Sequence, residues 1–133
     1  MTTAVEQACR ASTGRVLADM TDGLVTAYLD SRASLFHASL ALEAIDSFQE
    51  AADLLAEVGR RTRTAIRSML ESAPDAEFDD LETVSFALRA LLAGSVRIVL
   101  DRRTLSSDVA ALRSQLPIIC REYLSAVARS RCS

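Results

Sequence analysis

Apolar residues recur every three or four positions along most of this chain, the spacing that stacks side chains on one face of an α-helix; no stretch alternates as a strand would. The first such segment runs from about Thr3 to Leu29, with Val5, Cys9, Val16, Met20, Leu24 and Tyr28 in register. Gly14 and Gly23 are its weak points, since glycine costs a helix about 1 kcal/mol against alanine. Asp30, Ser31 and Arg32 break the pattern, and a short helix from Ser34 to about Ala44 carries Leu35, Phe36, Leu40 and Leu42. Ser47 and Glu50 form a capping box, which satisfies free N–H groups at a helix start. It opens a helix to about Glu71 with Phe48, Leu54, Leu55, Val58, Ile66, Met69 and Leu70 on its apolar side.

Ser72-Ala73-Pro74-Asp75 ends that helix, because proline disfavours helical backbone at the residue before it. An acidic linker to Phe78 leads to a second cap, Asp79 with Glu82. The helix from Asp80 to about Arg102 has two faces. Leu81, Val84, Leu88, Leu91 and Ile98 repeat at heptad-like spacing with Ser95 in their row, and Thr83, Ala87, Ala90 and Gly94 form a stripe of small residues. Arg102 and Arg103 complement the dipole at its end. Ser106 or Ser107 caps the last helix, whose seam is Val109, Leu112, Leu116, Ile119, Tyr123 and Val127, and Pro117 should kink it. The predicted fold is all-α: an antiparallel bundle of five helices, or six if Gly23 is a true break.

Composition narrows the picture. A chain of 133 residues, half apolar and a quarter charged, suits a single globular domain. A net charge of −3 argues against nucleic acid as its main partner. All fifteen cationic residues are arginine, a bias expected of a GC-rich bacterial genome. The three cysteines, Cys9, Cys120 and Cys132, are scattered and match neither a zinc site nor a disulfide framework, so a reduced cytoplasm is the simplest setting. The most apolar window, Phe86 to Leu100, is too short to span a bilayer and contains Arg89 and Arg97, so no membrane role is expected.

Candidate chemistry is sparse. Arg60, Arg61, Arg63 and Arg67 read as a phosphate patch or, more simply, as a solvated face balanced by Asp53 and Glu57. Asp75, Glu77, Asp79, Asp80 and Glu82 lack the glycine turn of a calcium loop, and capping explains those at the helix start. His37 is the only histidine and has no nucleophile or acid partner at useful spacing, so it reads as a packed or pocket-lining residue. No metal, no cofactor and no catalytic set is expected. Met20, Leu24, Tyr28, Phe36, His37, Phe48, Met69 and Phe86 are the candidates to line a ligand cavity.

The segments LETVSFALRALLAGSVRIVLD and VAALRSQLPIICREYL, separated by a short break, resemble the last two helices of TetR-type bacterial transcriptional regulators. SRASLFHASLALEAIDSFQEAADLLAEVGRRTRTAIRSMLE is similar to the middle of that family's regulatory domain, and RVLADMTDGLVTAYLD to the helices that lead into it. The resemblance implies an effector-sensing domain that binds a small, mostly apolar ligand and forms a homodimer through a four-helix interface of its last two helices. Ala87, Leu88, Ala90, Leu91, Gly94, Ser95, Ile98, Leu112, Leu116, Ile119 and Tyr123 would supply that interface. The helix-turn-helix of such regulators has no counterpart between Thr2 and Gly14, so no direct nucleic-acid binding is expected of these residues. A helical interaction module without a ligand is the alternative.

Overall fold

The structure, a computed structural model, describes residues 4–30, 48–101 and 103–130. Among these are five helices: α1 (Ala4–Ser12), α2 (Leu17–Asp30), α3 (Phe48–Glu71), α4 (Leu81–Leu100) and α5 (Ser106–Val127). Two short strands, β1 (Ala76–Phe78) and β2 (Ala128–Ser130), complete the order. The all-α expectation holds, with one small addition that the sequence did not signal. β1 and β2 pair antiparallel in the register Ala76↔Ser130, Glu77↔Arg129 and Phe78↔Ala128. This clip fastens the end of α5 to the linker between α3 and α4.

Of the two glycines expected to weaken the first segment, only Gly14 breaks it. Its φ of +82° lies in the left-handed region that favours glycine, and it separates α1 from α2. Gly23 stays inside α2, where it lets the two helices approach: a β-carbon there would lie 2.9 Å from the Ser12 hydroxyl. The corner is fixed from a distance. The Gly14 N–H donates to the Ser72 hydroxyl and the Leu17 N–H to the Asp75 carboxylate, both at 2.9 Å. Asp75, predicted as plain linker, thus serves the first turn of a helix 58 positions away in sequence.

Helix starts differ slightly from the expected caps. Asp80, not Asp79, caps α4: its carboxylate accepts from the Thr83 N–H at 3.1 Å and from the Thr83 hydroxyl at 2.6 Å. Leu105 occupies the cap position of α5 and supplies no side-chain hydrogen bond, so neither Ser106 nor Ser107 fills that role. Ser47 and the helix expected over 34–44 lie outside the described residues, as does the Glu50 side chain, so the capping box does too.

The Thr83 bonds hold the Asp80 carboxyl below its ordinary 3.8. A depressed folded value means that this group's contribution to stability is present above 3.8 and is lost as pH falls through the folded value. Asp80→Asn keeps the acceptor but cannot titrate. Its urea midpoint should therefore fall less steeply with acid than that of the unaltered chain, as a pH series of unfolding curves would show.

α4 runs antiparallel to α3, since Arg67 and Arg63 reach Glu82 at 2.8 and 3.3 Å while Gly59 lies against Arg89. α5 runs antiparallel to α2, with Arg121 3.5 Å from Asp22 and Arg113 3.3 Å from Asp30. The core between them is built from Met20, Leu24 and Val25 of α2, Ile66, Met69 and Leu70 of α3, Leu88, Leu92 and Val96 of α4, and Leu116, Cys120 and Leu124 of α5. Each fully buried Leu, Met or Ile contributes about 1.5–3 kcal/mol relative to exposure. The exposed ion pairs contribute about 0–1 kcal/mol each and mainly set register.

Candidate functional site

The residues predicted to line a cavity separate into three groups. Met20 and Leu24 have no exposure and Met69 has 1%, so all three belong to the packed core. Tyr28 is also buried, at the end of α2. Phe86 lies on the surface, 51% exposed, with the Arg63 guanidinium 5.4 Å from its ring centre. Its assignment to a cavity is corrected: helical spacing allowed the inner face, but Val84, Ser85 and Leu88 occupy that face and turn Phe86 outward. Phe36, His37 and the Phe48 side chain lie outside the described residues.

Two open clefts flank the core. One, about 450 Å³, lies between α1 and α3, with Cys9, Arg10, Thr64, Ser68 and Met69 among its walls and the Glu6–Arg61 pair at 3.1 Å. The other, about 470 Å³, lies between α2 and α5 and includes Thr21, Asp75, Ile118, Arg121 and Glu122. Both mix charge with apolar surface, and neither gathers the predicted cavity set.

Burial pushes the Cys9 thiol up to about 12, with the Glu6 charge adding to it, and burial alone raises Cys120 to about 11. Neither holds appreciable thiolate near neutral pH, the form that reacts. Iodoacetamide should therefore leave both unmodified in the native protein and modify all three cysteines in urea, as intact mass would show.

The two charge clusters resolve into structural roles. Arg60 pairs with Glu57, Arg61 with Glu6, and Arg63 and Arg67 with Glu82. The four arginines thus spend their charge on carboxylates of their own chain. Of the acidic run, Asp75 and Asp80 accept from helix starts, Asp79 meets Arg129 at 2.6 Å, and Glu82 takes its two arginines. Among the described residues, no three His, Cys, Asp or Glu side chains gather as metal ligands, and no helix is long and apolar enough to cross a membrane.

The expected dimer residues divide in the same way. Leu88 and Leu116 have no exposure and belong to the chain's own core, which corrects their placement on an outer seam. Ser95 is buried and donates to the Leu91 carbonyl at 2.8 Å. Ala87, Leu91, Leu112 and Tyr123 are partly exposed, and Ala90, Gly94, Ile98 and Ile119 are exposed. From Phe86 to Ile98 the exposed positions of α4 are Phe86, Ala90, Ala93, Gly94, Arg97 and Ile98, of which only Arg97 is charged. Ile98 is 55% exposed, and Ile118 and Ile119 on α5 are 46% and 45% exposed. That is much apolar surface for two neighbouring helices to leave in water.

The pair that sequence reasoning passed over is Gly59 and Arg89. A β-carbon on Gly59 would lie 2.4 Å from an Arg89 terminal nitrogen and 3.0 Å from its Cζ, so the guanidinium rests on the α3 backbone. The charge reaches Tyr28: burial pushes that phenol up, while Arg89 pulls it partly back and Cys9 adds to the rise. A glycine in the middle of a long helix, without a turn to explain it, was the available signal.

The sequence model of a family described as tetracyclin repressor-like, C-terminal domain, matches residues 17–124. No curated protein and no solved structure matches the chain.

Proposed function

The chain belongs to the tetracyclin repressor-like C-terminal domain family, and from that premise we propose that it is the effector-sensing and dimerisation domain of a bacterial, cytoplasmic transcriptional regulator. Domains of this family are regulatory rather than catalytic. On this reading the 133 residues act as one domain. α4 and α5 pair with the same helices of a second copy across a two-fold axis, and a small, mostly apolar ligand binds among the helices that precede them. The observation that carries the dimer is the nearly uncharged exposed face of α4 from Phe86 to Ile98. Its exposed small residues, Ala90, Ala93 and Gly94, suit close approach of a second helix, and Ile98 and Ile119 supply apolar area to bury.

The ligand acts on a distant partner only through preference. It shifts the arrangement of two copies by as much as its affinity differs between the arrangements, and no more. DNA reading is not assigned to these residues.

Light scattering across a dilution series tests the dimer, and thermal melts against a panel of apolar ligands test the sensor. A concentration-resistant dimer whose melting rises with ligand is the expected result, since a ligand at a hundred times its dissociation constant adds about 2.7 kcal/mol. A dimer that no ligand stabilises would leave an interaction module, and a monomer would remove the reading's main support.

A further inference from the structure

We propose that the linker over residues 72–78 is a latch: it holds the hinge of α1 closed and ties that hinge to the end of α5, so that the two open together. The start of α2 shows why a latch is needed. Val16 precedes that helix and carries no side-chain oxygen to accept from its first N–H groups, which a helix leaves without internal partners. The linker accepts instead, Asp75 from the Leu17 N–H and Ser72 from the Gly14 N–H, each across 58 positions of sequence. Gly14 is the hinge itself. Its φ of +82° favours glycine, and a β-carbon there would meet nothing within 4 Å.

The far end of the chain fastens to the same linker. α5 stops at Val127, Ala128 turns extended, and Ala128–Ser130 pairs with Ala76–Phe78. Arg129 adds an ion pair with Asp79, 2.6 Å away and just past the strand. Between its two attachments the linker is anchored, since Ala73 and Ala76 are buried and it moves only by opening the core beneath them. The attachments also share one space: Leu17 and Asp75 line the cleft between α2 and α5 together with Ser125 of α5. α1 and β2, the two elements so fastened, lie outside the matched residues 17–124, and the linker that joins them lies inside. The latch needs neither a ligand nor a second copy. On the dimer reading, however, α5 carries pairing surface, and the latch then links the setting of α1 to the pairing of two copies.

Amide hydrogen exchange of the full chain, followed residue by residue by NMR, tests this, because exchange reports local opening. Arg129→Pro removes the Asp79 pair and one N–H of the short strand, and leaves the hydrogen bonds of the α1–α2 corner untouched. It should speed exchange at Gly14 and Leu17 about fivefold or more, the equivalent of roughly one net hydrogen bond. Leu88 and Leu92 in the middle of α4 should be unchanged. Linkage is mutual, so Asp75→Ala should speed exchange over 76–78 and 128–130 by a similar factor. Asp75→Asn keeps an accepting oxygen and should restore most of the protection, which keeps the test decisive if Arg129→Pro fails to fold.

Gly14 and Leu17 amides that exchange freely in the unaltered chain would overturn the latch. So would acceleration in Arg129→Pro confined to 76–79 and 128–130, with the hinge unaffected. Equal acceleration at Leu88 and Leu92 would overturn it as well, because that marks a general loss of stability rather than two linked ends. No restoration by Asp75→Asn would remove Asp75 as the link.

Discussion

Replacing Leu88 with alanine is expected to lower the unfolding free energy by about 2–5 kcal/mol, the range for removing a fully buried leucine side chain. Leu88 has no exposure and packs among the buried residues of all four longer helices. Part of the loss is the transfer of methyl and methylene groups out of the core, and part is the cavity left because neighbouring helices relax only partly. A domain of this size has about 5–15 kcal/mol in total, so the variant should sit near the edge of folding. The measurement is a urea curve at two protein concentrations. Because the side chain belongs to the chain's own core, the loss should be similar at both. A change confined to the association step, with the folded chain unaffected, would return Leu88 to the dimer surface. Leu116→Ala, equally buried on α5, should behave in the same way.

Gly94→Leu is expected to act in the opposite manner, weakening the dimer while leaving the chain as stable or more so. Gly94 is exposed, and a β-carbon there would meet nothing within 4 Å of its own chain. Leucine is also the better helix former by roughly 0.8–1 kcal/mol. A second copy packed closely against α4 would meet the new side chain on both sides of the two-fold axis. Overpacking a tight contact costs about 1–3 kcal/mol, which is about fivefold to more than a hundredfold in dissociation constant for each occurrence. Light scattering on a dilution series gives the dimer constant, and a melt on the same sample gives the stability. An unchanged dimer would place Gly94 outside the contact. A destabilised monomer would contradict the open surroundings of this glycine.

The two substitutions separate residues that the sequence placed on one continuous seam. Heptad-like spacing groups Leu88 with Leu91 and Ile98, and Leu116 with Leu112 and Ile119, because each set repeats at helical period. Period alone identifies neighbours on a helix but not which neighbouring body covers them. In the fold the seam is split lengthwise: Leu88 and Leu116 turn inward, Leu91 and Leu112 lie at the boundary, and Ile98 and Ile119 face outward. Phe86 shows the same limit. Its apolar ring suited a cavity by residue type, yet Arg63 covers only part of it at the surface.

The features legible along the chain are those that local chemistry controls. Helical period placed α3 through α5 close to their observed spans and Pro74 marked the end of α3, whereas the single segment expected from Thr3 to Leu29 divides at Gly14, one of its two weak points. The apolar pattern also carried the family resemblance, which the match over residues 17–124 bears out. Tertiary structure alone decided the contacts between residues far apart in the chain. It brought Asp75 to the start of α2, paired β1 with β2, distributed the four clustered arginines over Glu57, Glu6 and Glu82, and seated Arg89 on Gly59. The physical reason is that a hydrogen bond, an ion pair or a close approach depends on where two backbones meet. Spacing along one backbone fixes a face, and only the packing of helices against one another settles what that face touches.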